Sequence, residues 1–99
     1  MTVEITAVGK DAYETDYLNT GDCMLTRALH RAGLTDWIDI GGVIEQISTG
    51  KQWTSEEYKL LSNKVVGMYR TSGKISVPTY PTDPFAPHPI EDITITIDI

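Results

Sequence analysis

The sequence predicts an α+β fold: a small, mainly antiparallel or mixed sheet with two helices packed on one face. Three observations carry that expectation. Residues 19–33 (NTGDCMLTRALHRAG) set Leu25, Ala28, Leu29 and Ala32 at the i, i+3, i+4, i+7 spacing that gives a helix one apolar stripe. Residues 54–69 do the same with Tyr58, Leu61, Val65 and Met68. Ile93-Thr94-Ile95-Thr96-Ile97-Asp98-Ile99 instead alternates at period two, as a strand with one buried face does. The expected order is β-α-β-β-α-β-β in one domain spanning residues 1–99, a length that supports a modest single core.

In chain order, Val3, Ile5 and Ala7 alternate with Glu4, Thr6 and Val8 as an opening strand, which Gly9-Lys10-Asp11 ends. Residues 11–17 have weak helical spacing and read as a loop or one helical turn. In the central helix Asn19, Thr20 and Asp22 can accept from first-turn N–H groups, and Gly33 suits a left-handed C-cap. Trp37-Ile38-Asp39-Ile40 is strand-like, Gly41-Gly42 turns the chain, and residues 43–48 form the next strand. Residues 49–52 are a turn. Trp53 then stands before a capping box of Thr54 and Glu57, placed to staple onto Tyr58. Ser72-Gly73 stops this second helix, and residues 74–77 begin another strand. Five prolines between Pro78 and Pro89 forbid a central strand or a helix, so 78–89 reads as an extended surface connector tacked down by Tyr80 and Phe85. Residues 91–99 close the chain as a strand. Its isoleucine face needs a cover, from the helices or from a second subunit.

Composition narrows the function classes. A net charge of −6 argues against non-specific nucleic-acid binding, which needs many Lys and Arg contacts to phosphate. No apolar run reaches the roughly 18 residues of a membrane span. The opening Met-Thr-Val-Glu-Ile lacks the regions of a signal peptide, and one cysteine makes no internal disulfide; both point to the cytoplasm. One cysteine and two distant histidines give no zinc spacing, so neither a metal nor a cofactor is expected.

The candidate site residues cluster around the central helix. Arg27 and Arg31 lie one turn apart and read either as a solvated face balancing nearby acids or as an anion clamp, because guanidinium forks match phosphate and carboxylate. Tyr13, Tyr17 and Trp37 are aromatics that could stack on a base. Cys23 opens the helix, where a thiol can be activated as a nucleophile. His30, seven residues on, is about 10 Å along the axis and too far to be its base. That leaves His88, between two prolines. A lone first-turn cysteine is more often a small buried side chain.

Gly21-Asp22-Cys23-Met24-Leu25-Thr26-Arg27-Ala28-Leu29 resembles a segment of small uncharacterised phage and actinobacterial proteins, built as a strand, a loop, an Asp-Cys-x-x-x-Arg-Ala-Leu helix and a short strand. The likeness covers Val3 to Ile47, with Met24 where many of them have proline. It implies a small acidic accessory protein that disarms a host system by binding. The same nonapeptide is also similar to the helix-opening cysteine of papain-like proteases of the ovarian-tumour deubiquitinase type. Those domains are longer and carry a histidine on a later strand, so no catalytic role is transferred.

The function expected is therefore non-enzymatic: an anti-defence protein of the host cytoplasm that sequesters a small anionic, nucleotide-like ligand through Arg27, Arg31, Tyr13, Tyr17 and Trp37. An alternative is a blocker of a host defence protein, using acids such as Glu56, Glu57, Glu91, Asp92 and Asp98 against a basic partner, in the manner of anti-CRISPR proteins. Further alternatives are a cysteine hydrolase built on Cys23 and His88, and a structural homo-oligomer pairing through the terminal strand.

Overall fold

A computed structural model describes residues 2–74 and 90–99. The expected strand at 75–77, the connector at 78–89 with Tyr80 and Phe85, and His88 lie outside the described residues. The chain is α+β, in the order β1 (Thr2–Ala7), α1 (Asp11–Glu14), α2 (Met24–Arg31), β2 (Trp37–Ile40), β3 (Val43–Gln46), β4 (Gln52–Trp53), α3 (Glu56–Thr71) and β5 (Ile93–Asp98).

The strands form two antiparallel sheets rather than one: β1 with β5, and the meander β2-β3-β4. The division follows strand length and separation. β1 and β5 are matched six-residue strands from opposite ends of the described chain, paired Val3 to Ile97, Ile5 to Ile95 and Ala7 to Ile93. Their apolar residues thus share one face and their threonines the other, where the Thr6 and Thr94 hydroxyls meet at 2.8 Å. The meander is local and short. Gly41 and Gly42 both have positive φ (62° and 93°), the two-residue turn that matches the twist of a hairpin.

Helix α2 packs against both β1 and β2, and α3 against β5. Leu25 and Leu29 of α2, Tyr58, Leu61, Val65 and Met68 of α3, and Ile5, Ile44 and Ile97 of the sheets belong to one continuous buried core. On the isoleucine face of β5, Ile97 is buried in this core and Ile93, Ile95 and Ile99 are partly buried against it. Both long helices end alike: Leu34 N–H bonds Leu29 C=O and Gly33 N–H bonds His30 C=O, and Lys74 and Gly73 repeat the arrangement on Tyr69 and Arg70.

The helix starts differ from the sequence reading. Cys23, not Asn19, Thr20 or Asp22, is the N-cap of α2, its sulfur accepting from Thr26 N–H at 3.4 Å. Asn19 instead caps the tight turn to Gly21, and Asp22 is drawn sideways to Arg27. For α3 the cap is Ser55, which accepts from Tyr58 N–H at 3.1 Å. Thr54 is spent elsewhere, donating to Gly42 C=O at 2.8 Å and fastening the hairpin turn to the helix start. That shift puts Tyr58 at the third helical position, so the expected Thr54–Glu57 box does not form. Trp53 joins β4 and still meets Tyr58 edge-on, with ring centroids 6.2 Å apart.

A directed chain of hydrogen bonds ties α1, α2 and α3 together. Met24 N–H donates to the Tyr69 hydroxyl at 2.8 Å. Thr15 donates to Asp11 C=O at 2.6 Å, so the Tyr69 O–H must be the donor in its 2.6 Å contact with the Thr15 hydroxyl. Tyr69→Phe keeps the ring and orphans a buried N–H at the head of α2. The expected loss is about 1–3 kcal/mol, read in thermal melts as a fall in Tm of roughly 4–8 °C per kcal/mol for a domain of this size.

Candidate functional site

The sequence leaves the arginine pair either as a face balancing nearby acids or as an anion clamp, and the structure shows the first. Asp11, only 1% exposed, lies beneath the pair. Arg31 grips this carboxylate with both ends of its fork, at 2.6 and 3.0 Å. Arg27 donates through Nε to Asp22 at 2.8 Å and reaches Asp11 at 3.4 Å and Glu14 at 3.5 Å. The hydrogen bond from Arg27 holds the Asp22 carboxyl below its ordinary range, and the bond to Asp11 raises Arg31. The clamp reading is corrected accordingly. These guanidinium groups already hold carboxylates, and a phosphate would have to displace a buried one left without a cation. Their work is to tether α1 to α2.

The aromatics separate as well. Trp37 is 7% exposed and belongs to the core, so the expectation that it stacks on a ligand is corrected. Tyr13 stands exposed on α1. Tyr17 lines a cavity, and it packs edge-on against Tyr69 with centroids 5.5 Å apart.

That cavity is a cleft of about 360 Å³. One wall is the head of α2, with Cys23 and Met24; the facing wall is α3, with Ser62, Asn63, Val66 and Tyr69. The β2–β3 turn closes one end through Asp39 and Gly41, and Tyr17, Leu18 and Thr20 border the rest. Aromatic edges and aliphatic surface thus alternate with hydroxyl, amide and carboxylate groups, the make-up of a small-molecule site. The described residues lining it include no Lys, Arg or His.

Cys23 reaches this cleft as a structural thiol. It donates to the Thr26 hydroxyl at 3.3 Å while its sulfur caps the helix. Thr26, fully buried, passes its own proton to Thr20 C=O at 2.6 Å and accepts from Asp39 N–H at 2.9 Å. His30 is engaged elsewhere: its Nε2 stands 2.9 Å from Trp37 C=O, and because a carbonyl only accepts, the imidazole donates there. Among the described residues no group of three His, Cys, Asp or Glu side chains is placed to hold a metal ion.

Asp39 is the residue the sequence reading passed over. It is 8% exposed, and its Oδ1 accepts from the Tyr58 hydroxyl at 2.8 Å and from Gly42 N–H at 3.3 Å. Burial pushes its carboxyl above the ordinary 3.8, against the lowering effect of those neutral donors. Burial, with Asp39 next to it, likewise raises Tyr58. A signal was present in the strand pattern: at period two, Asp39 shares a face with Trp37, while Ile38 and Ile40 share the other.

A carboxyl harder to ionise in the fold than in the open chain lowers stability as pH rises from 3.8 through its raised folded value. Asp39→Asn keeps the shape and discards the charge. It is expected to melt at or above the wild-type Tm at pH 7, with the advantage shrinking as pH falls towards 4. A Tm well below wild type at pH 7 would contradict this account of Asp39.

Compared with known proteins, the chain matches no family model, no curated protein and no solved structure.

Proposed function

We propose that the protein is a non-enzymatic accessory protein of the phage type, acting in the cytoplasm, that binds and sequesters a small nucleotide-like ligand. The observation that carries this reading is the cleft between α2 and α3, large enough for a base and sugar and walled by mixed apolar and hydrogen-bonding groups. The base enters the cleft, and the phosphates stay outside it. Lys59, exposed and one helical turn before Asn63, supplies a cation at the α3 rim. The accessory, anti-defence role is what the resemblance around Asp22-Cys23 implies.

A thermal-shift screen with nucleosides and linear and cyclic nucleotides tests the reading. A ligand at a hundred times its Kd adds ~2.7 kcal/mol, a rise of ten degrees or more for a domain this size. Asn63→Trp, at an exposed helix position, is expected to fill the cleft and abolish the shift with little change in the unliganded Tm. Arg31→Ala is expected to lower the unliganded Tm and leave the ligand shift intact. The opposite pattern would return the site to the arginine pair.

A second reading, a blocker of a basic host protein, is favoured by Leu18, 83% exposed, next in sequence to exposed Tyr17 and bonded through its N–H to the exposed Asp16 carboxylate. Acidic surface around an apolar contact suits such a partner. It calls for Leu18→Ser to weaken inhibition in cells while Asn63→Trp does not.

A further inference from the structure

The molecule buries two aspartates, and they are treated in opposite ways. Asp11 is answered by Arg31 and Arg27. Asp39 has no cation beside it among the described residues; its partners are a phenol and backbone N–H groups, and it lines the cleft. Aspartate is rarely this buried without a charged partner. The strand that carries it compounds the anomaly, turning Asp39 inward and leaving Ile40, 42% exposed, outside. A local choice that opposes folding belongs where function demands it. Tyr58 and Gly42 both address Oδ1, and the Gly41 N–H also bonds the carboxylate, so every donor it meets is neutral.

We infer that Asp39 is the recognition group of the cleft, and that the buried end of its ligand carries N–H donors: a protonated amine or amidine, or the amino edge of a heteroaromatic base. The inference rests on the ligand-binding reading of the cleft and specifies which ligands it admits. A carboxylate accepts such donors in pairs and repels phosphate and carboxylate groups. Tyr17, Val66 and Tyr69 supply flat and aliphatic surface for the ring behind the donors. The anionic part of a nucleotide is thereby kept out of the cleft, and discrimination among bases falls to the presence of an amino group. Tyr58 is a positioning residue, fixing the Asp39 rotamer from α3.

The test is an NMR titration of the ¹⁵N-labelled full chain with two matched pairs: guanosine with inosine, which lacks the 2-amino group, and benzamidine with benzoate. Guanosine is expected to bind roughly tenfold or more tightly than inosine, with shifts at Ser62, Asn63 and Val66. Benzamidine is expected to shift the same amides and benzoate to leave them still. Binding of benzamidine alone identifies a cationic head, and binding of guanosine with discrimination a base edge. Asp39→Asn is expected to erase the discrimination; should that variant fail to fold, the wild-type pairs still decide. Benzoate or inosine shifting the cleft amides as strongly as its partner overturns the inference and leaves the cleft a binding site. No shift at those amides from any probe overturns the inference and the binding reading together.

Discussion

Two buried phenol groups on one helix have to be hydrogen-bonded, and their partners set the positions of everything around the cleft. Tyr58 and Tyr69 are fully buried on α3, where an unsatisfied hydroxyl would cost more than a made bond gains. Tyr69 finds the first N–H of α2 and the Thr15 hydroxyl, so α1 and the head of α2 are held at one distance from α3. Tyr58 finds Asp39, which fixes β2 and, through Gly42, the hairpin turn. Thr54, just before the helix, repeats the second tie on Gly42 C=O. The cleft is the space these ties hold open, and close packing of the core behind it leaves the walls little freedom.

The same economy separates structure from candidate function. Where charge is buried for architecture, as at Asp11, opposite charges stand against it and the group disappears into a tether between helices. Where it is buried at Asp39, neutral donors hold it in place and leave it ionisable at the edge of a cavity. Thr26 shows the first pattern without charge: one hydroxyl satisfies Thr20, Asp39 and Cys23 and makes the thiol a cap. A buried polar network that is complete in itself points to stability, and one whose carboxylate meets neutral donors at the edge of a cleft points to recognition.

Much of the fold was legible because its signals are local. The stripes at Leu25, Ala28 and Leu29 and at Tyr58, Leu61 and Val65, the stops at Gly33 and Gly73, and the alternation of Ile93 to Ile97 all act through near neighbours. The division into two sheets was not legible, because pairing of β1 with β5 is a long-range choice that periodicity does not encode. The caps shifted by a residue for a similar reason: Thr54 was taken by Gly42 and Asp22 by Arg27, partners visible only after folding. The site reading suffered most. Arg27, Arg31 and Trp37 stand out by residue type, yet tertiary contacts consume all three. Asp39 is unremarkable by type and conspicuous only by its face of the strand, a signal that rests on knowing which face is inward.

The most direct measurement of the central claim is retention of small molecules from a cell extract, read by mass spectrometry of what the protein releases on denaturation. Wild type and Asn63→Trp would be incubated side by side. The account requires a compound with an amino or amidine group that wild type retains and Asn63→Trp does not. A compound retained equally by both, or lost only when Arg27 and Arg31 are changed to alanine, would place the site outside the cleft and contradict it.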